Sequence, residues 1–192
     1  MNAIEIRNLS KSFRGMYAVD HLNMTVPVGA LIENAGCFPN SSVYQNLRMQ
    51  TINLGLENPD EEIYRVLEIV RMEDSANIKF KSCSLGMKQR IGIAMALLGN
   101  PALLILDEPI NGLDTDGMRI MREILVDITQ KYGCTVLISS HILGELEKIA
   151  THYGIIRQGK MIMELSAEEM DSRRYEQKQN ASRMQIFPCG RG

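Results

Sequence analysis

The residues best suited to chemistry are two adjacent acids, Asp107 and Glu108, in the stretch LLILDEP. The run before them is short, continuous and apolar, the pattern of a strand buried in a parallel sheet. Ligands of open α/β sheets sit at the carboxyl ends of such strands. Carboxylate oxygens there suit a hard cation such as Mg²⁺. Asp107 would serve the metal, and Glu108 would orient or deprotonate an attacking water. A lone Asp-Glu pair would as readily cap or solvate a strand end, but this pair has company. Asp114 follows in NGLD, and His141 stands just past a second apolar run, TVLIS. A histidine in that position points toward the same sheet edge as Glu108 and would stabilise a phosphoryl group by a hydrogen bond. Taken by itself it would read as a surface residue opening a helix. The third element is SLGMKQR. Ser84 and the amides of Leu85 and Gly86 lie at a helix start, where unpaired donors and the helix dipole favour an anion. Gly86 would let a phosphate approach the backbone closely. An ordinary serine cap fits the same residues.

The elements that must hold these groups follow from periodicity. Ala3–Leu9 and the region around Ala18–Val26 alternate at period 2 and predict half-buried strands. Ser41–Leu54 and Pro59–Met72 have helical spacing. In the second, Asn58 can cap, Pro59 takes the first helical position and Glu61 stands three past the cap. Ser84 to about Leu98 predicts a helix whose inner face is Met87, Ile91, Met95 and Leu98. Asn100-Pro101 ends it. Ala102–Leu106 and Thr135–Ser139 read as buried strands, and Gly117–Gln130 and Ile142–Ala150 as helices. Met118, Met121, Leu125 and Ile128 turn inward from the first of these helices. Tyr153–Arg157 and Met161–Leu165 flank a turn at Gln158-Gly159. Strands alternating with helices predict an α/β domain with a parallel sheet. The tail after Arg173 is polar and aperiodic, and residues 174–192 are expected to be disordered.

Composition narrows the class. A chain of 192 residues suits one domain, or one with a small subdomain. The net charge of −2 gives no reason to expect a nucleic-acid partner. Cys37, Cys83, Cys134 and Cys189 are widely spaced, so neither a zinc site nor a disulfide framework is signalled, and reduced thiols are expected. The N-terminus lacks the pattern of a signal peptide. The most apolar region is interrupted by Asn100-Pro101 and Asp107, which excludes one membrane-spanning helix there.

The order Ser84-x-Gly86…Gln89-Arg90, then LLILDEP, NGLD and SSH resembles the signature sequence, Walker B segment, D-loop and switch histidine of the ATP-binding subunits of ABC transporters. With IENAGCFPNSSVYQNL upstream, the chain is similar to the branch that exports bacitracin and lantibiotics. The likeness runs from about Ile4 to Arg173 and implies one P-loop NTPase-like domain over residues 1–173, with a helical signature subdomain over about 41–98. The resemblance implies ATP and Mg²⁺ as cofactors. Asp107 would hold the metal, Glu108 would be the general base, and His141 would contact the γ-phosphate. Asp114 would lie across a dimer interface, and Ser84 and Gly86 would reach ATP bound mainly to the other subunit. Glu33 stands where most members carry a glutamine, in the loop linking nucleotide to transporter. Phe13 would stack on adenine, with Tyr17 as its rival. The implied partners are a transmembrane permease subunit and a second ATP-binding subunit, identical or different. The implied location is cytoplasmic, peripheral on the inner face of the plasma membrane.

One part of that pattern is missing. A phosphate loop takes the form G-x-x-x-x-G-K-[ST], with glycines for close approach, Lys on the phosphates and a hydroxyl on Mg²⁺. No Gly-Lys-Ser or Gly-Lys-Thr occurs in the sequence. Its Gly159-Lys160 is followed by Met161 in a turn. Gly29-Ala30 runs straight into Leu31-Ile32-Glu33, where the resemblance calls for the loop, a helix and a small antiparallel segment. An internal deletion with its junction near residues 29–31 is therefore expected. It predicts a destabilised or rearranged core, with Leu31-Ile32 recruited into a vacated central strand. The expected function is an ATP-binding subunit that couples ATP binding and hydrolysis to export of a peptide antibiotic or similar substrate, impaired by loss of the phosphate loop. The alternative is a catalytically inactive fragment, or a non-catalytic dimerisation partner of an intact subunit.

Overall fold

The computed structural model describes residues 4–13, 16–26, 28–31 and 36–173. They fall into two compact units, one built mainly on Met24–Ile149 and the other on Arg7–Asn23 with the chain from Ala150 onward. The two strands expected from alternation form as β1 (Ile4–Phe13) and β2 (Met16–Val26), and they pair with each other. In the second unit β6 (His152–Arg157) and β7 (Lys160–Ser166) form an antiparallel hairpin. Its turn residues Gln158 and Gly159 both have positive φ, 52° and 74°. A two-residue hairpin needs that left-handed pair to match the twist of its strands. Tyr153 and Leu165, partners across the hairpin, are its buried side chains.

The first unit carries the chemistry. Its parallel sheet has the order β3-β4-β5, with β3 (Val28–Leu31), β4 (Leu103–Asp107) and β5 (Thr135–Ser139). The register sets Leu31 beside Leu106, and Asp107 beside Ser139. Helices α1 (Val43–Asn53) and α2 (Pro59–Ile69) pack with α3 (Leu85–Leu97), while α4 (Thr115–Gln130) lies against β5. Leu47, Ile63, Ile91, Leu104, Leu106 and Ile124 are fully buried in one continuous core.

Local chemistry explains the helix starts. Ser42 and Gln45 form a reciprocal capping box at α1, each side chain accepting from the other's backbone amide. Asn46, buried in the first turn of α1, accepts from the Phe38 amide and donates to the Phe38 and Ser42 carbonyls, which pins the incoming loop. Proline opens α2 as predicted, followed by three acids that complement the helix dipole. Asn58 makes no side-chain cap there, so the expected capping box is replaced by proline and charge.

Several expectations need correction. β5 was expected to be buried, yet Leu137 is 55% exposed: it lies beside Ile105 on the incompletely covered face of the sheet, and among the described residues β5 pairs with β4 alone. β4 buries Leu104 and Leu106 on one face, while Leu103 and Ile105 on the other are only half-buried. Val28–Leu31 takes the opposite edge of the sheet, so Leu31 is not recruited into a central strand; Ile32 lies outside the described residues. The helix expected over Ile142–Ala150 shrinks to α5 (Leu143–Leu146). On α3 the expected face is too narrow. Ile91 and Leu98 are buried and the two methionines half-buried, but Ile93, Ala94 and Leu97 are buried too, because sheet and helices cover α3 from different sides. The predicted disordered tail, residues 174–192, lies outside the described residues.

At the expected junction, Gly29 meets α3 backbone to backbone. A Cβ added there would lie 2.0 Å from the Ala96 carbonyl oxygen. Gly29→Ala is therefore expected to lower stability by about 1–3 kcal/mol, read as a reduced urea midpoint. A second prediction concerns acid. Glu62 accepts from Arg65 at 2.7 Å and from the Gly99 amide at 3.3 Å, tying α2 to the end of α3. The Arg65 guanidinium holds the Glu62 carboxyl below its usual value of 4.5. A carboxyl depressed on folding stabilises fully above its unfolded pKa, and that contribution is lost as pH falls through the folded value. Stability should fall on acidification below pH 4.5, and Glu62→Gln should flatten that limb of a stability–pH profile.

Candidate functional site

The β4–β5 register assembles one cluster at the carboxyl edge of the sheet. Asp107 ends β4, and its carboxylate accepts from the Ser139 hydroxyl at 2.5 Å. The Ser139 hydroxyl in turn accepts from the Glu108 amide at 3.0 Å, and that amide also approaches the Ser139 carbonyl oxygen at 3.2 Å. Glu108 has φ 49°, the left-handed region that a long L side chain rarely adopts. Strain of this kind persists only when the surroundings over-determine it, and it concentrates at functional sites. Here the paired amide of Glu108 and the Asn111 amide, which donates to its carbonyl oxygen at 3.1 Å, supply that constraint.

The Glu108 side chain turns to the histidine. Its Oε1 lies 2.9 Å from His141 Nδ1, while Oε2 is buried with no hydrogen-bond partner among the described residues. With Glu108 ionised, His141 donates its Nδ1–H and keeps Nε2 free to face a ligand. His141 is mostly exposed and Glu108 about one-third exposed, so both remain accessible to a small molecule. Behind them Arg122 of α4 pairs with Glu145 of α5, which Lys148 also contacts. Lys148 and then Arg122 hold the Glu145 carboxyl below its ordinary range, and the pair fixes the turn that follows His141.

A second cluster forms where two helices begin. Ser84 caps α3 by accepting from the Met87 amide at 3.2 Å, and Asp114 caps α4 by accepting from the Gly117 amide at 2.7 Å. Ser84, Gly86, Asp114 and Gly117 line a cavity of about 380 Å³. A Cβ at Gly117 would stand 2.8 Å from the capping Asp114 oxygen, so a side chain there would push the cap aside. The two clusters are joined by Gln89, whose amide nitrogen donates to the Asn111 carbonyl oxygen at 3.1 Å. Arg90 anchors the same helix from the other side by donating to the carbonyls of Val70 and Arg71. Arg71 then pairs with Glu123 and Asp127 of α4.

Sequence reasoning named Asp107, Glu108, Asp114, His141, Ser84 and Gly86, and the structure groups them into these two clusters. It missed Ser139, although the first serine of the SSH motif was the available signal. It also missed the anchoring roles of Gln89 and Arg90, which depend on contacts distant in sequence. Phe13 ends β1 and Tyr17 is the second residue of β2, in a different compact unit from both clusters. Glu33 lies outside the described residues.

The acid pair, a serine and a histidine thus stand together at the carboxyl edge of a parallel sheet, where open α/β sheets bind their ligands. A family model described as ABC transporter matches residues 8–111, and the chain belongs to that family. It is 42% identical over 143 residues to the uncharacterized ABC transporter ATP-binding protein YcbN of Bacillus subtilis (strain 168), covering 74% of this chain and 46% of the relative. It is 40% identical over 146 residues to the bacitracin transport ATP-binding protein BcrA of Bacillus licheniformis, covering 76% and 47%. The chain thus spans about half the length of the curated relatives it matches. Among solved structures, cbiO1 from Clostridium perfringens, part of the ABC transporter complex cbiONQ, superposes with a TM-score of 0.71 at 19% identity. The match covers 93% of this chain and 94% of that one, and bears on the fold.

The residues fit the implied group in part. Asp107 offers a hard oxygen donor of the kind Mg²⁺ takes, and Glu108 Oε2, without a hydrogen-bond partner among the described residues, is a carboxylate oxygen that can accept a proton. The phosphate cradle does not fit, since no Gly-Lys-Ser or Gly-Lys-Thr occurs in the sequence. Ser139→Ala removes the hydroxyl that joins Asp107 to the Glu108 amide. Its expected cost is about 1 kcal/mol, read as a lower urea midpoint.

Proposed function

We propose that this chain is an ATP-binding subunit of an ABC exporter whose own nucleotide site is impaired. Hydrolysis would divide between Asp107, holding Mg²⁺, and Glu108, taking a proton from water with His141 holding its carboxylate in place. The observation that carries the reading is the Asp107–Ser139–Glu108–His141 cluster, with one Glu108 oxygen left unpaired. The name of the BcrA relative supports a peptide antibiotic or similar compound as the exported substrate. Among the described residues no helix is long and apolar enough to cross a membrane. A transmembrane permease subunit is the proposed partner for transport. Phe13, with Tyr17 as its rival, is the proposed adenine contact, and Glu33 the proposed link to the permease.

One observation favours a non-catalytic reading for the isolated chain. The sequence carries the signature cluster intact but no Gly-Lys-Ser or Gly-Lys-Thr for a phosphate loop of its own. In that reading Ser84 and Gly86 serve ATP held by an intact partner subunit, with Asp114 at the contact.

Two measurements separate these readings. The isolated chain with MgATP is expected to hydrolyse at background rate; turnover abolished by Glu108→Gln would overturn the impairment. Mixed with an intact homologous subunit, it should associate in an ATP-dependent manner by analytical ultracentrifugation, and Ser84→Arg should abolish that association. No association with the unsubstituted chain rules out the partner role.

A further inference from the structure

The left-handed backbone of Glu108 is held on both sides, and the two holds differ in kind. Its amide is fixed by Ser139, a residue of the adjoining strand. Its carbonyl oxygen is fixed by the Asn111 amide at 3.1 Å, and Asn111 is itself an exposed turn residue. Ile110 is buried and Leu113 packs on the core, but neither orients the peptide between Asn111 and Gly112. Gly112 has φ 75°, a region glycine enters without steric cost, so that peptide gains little restraint from the residue after it. A side chain of α3 supplies the orientation. The Gln89 amide nitrogen donates to the Asn111 carbonyl oxygen at 3.1 Å. The start of α3 also abuts this turn, since a Cβ on Gly112 would stand 3.2 Å from the Leu85 side chain.

Gln89 is poorly suited to a purely structural role. A carbonyl can only accept, so the bond to Asn111 commits Nε2 to it and sends Oε1 elsewhere. Oε1 is buried and has no hydrogen-bond partner among the described residues. An unmatched buried acceptor opposes folding and offsets the bond made by the nitrogen of the same amide. Methionine would fill nearly the same length with neither polar atom. The amide therefore adds little to stability, and what it supplies is direction for one peptide.

From this geometry we infer that Gln89 is a positioning residue for Glu108. By holding Asn111, it keeps the Glu108 carboxylate where Oε1 meets His141 Nδ1. The inference rests on the reading of Glu108 as proton acceptor given above, and it adds a residue from another element that acts through Asn111 alone.

The test reads the histidine. In a neutral imidazole one nitrogen carries the proton, and the contact with an ionised Glu108 selects Nδ1. The isotopically labelled full chain is followed by long-range proton–nitrogen correlation NMR at mildly alkaline pH, with His141 assigned by loss of its signals in His141→Gln. The unsubstituted chain is expected to hold His141 chiefly as the Nδ1–H tautomer. Gln89→Met should lower the ratio of Nδ1–H to Nε2–H about fivefold, the weight of one hydrogen bond, while the urea midpoint stays level or rises. Glu62→Gln loosens the other end of α3 and should do the reverse, lowering the midpoint at an unchanged ratio. An unchanged ratio in Gln89→Met, an equal change in Glu62→Gln, or a Gln89→Met chain that does not fold overturns the inference and leaves the role of Glu108 standing. An unsubstituted chain with His141 chiefly as Nε2–H overturns both.

Discussion

Everything at the carboxyl edge of the sheet depends on the register of β4 against β5. Because Asp107 stands beside Ser139, one hydroxyl can donate to a carboxylate and accept from the next backbone amide. That shared hydroxyl, together with the Ser139 carbonyl and the Asn111 amide, holds Glu108 in a conformation its side chain disfavours. A slip by one residue would place a side chain of the opposite face beside Asp107. The Glu108–His141 contact would then lose its geometry, since both residues hang from the ends of those two strands.

The helices serve this edge indirectly. Gln89 fastens α3 to the loop between Glu108 and Asp114, and Arg90 fastens the same helix to the end of α2. Arg71, itself left-handed at φ 57°, carries the linkage on to α4. A displacement at the capped start of α3 therefore reaches Asn111 through one hydrogen bond, and Asn111 is bonded to Glu108. The two clusters are mechanically joined although no side chain belongs to both.

Much of this was legible in the sequence because its signals are local. Pro59 opening α2, Ser84 capping α3 and the Gln158-Gly159 turn each depend on residues within a few positions of one another. The acid pair and His141 were also readable, since apolar runs mark where parallel strands end. Burial was read less well. TVLIS has the composition of a covered strand, but coverage depends on neighbours that the strand's own residues do not specify. Asn58 looked like a cap, yet proline and three acids made its side chain dispensable. Ser139 was hidden for a similar reason: its role exists only through its partner on β4. The close contact of Gly29 with Ala96 could not be read from either residue alone.

Among the described residues β5 has one unpaired edge, and that has a further consequence, for concentration. Thr135–Ser139 contains no charge and no proline, and such residues are what natural sheet edges use to discourage pairing with other chains. An uncharged, β-prone edge meets its like at a rate that grows with the amount of protein present. The chain can therefore fold correctly and still have a low ceiling of soluble concentration. That ceiling would be set by five residues at the sheet margin rather than by the strength of the core.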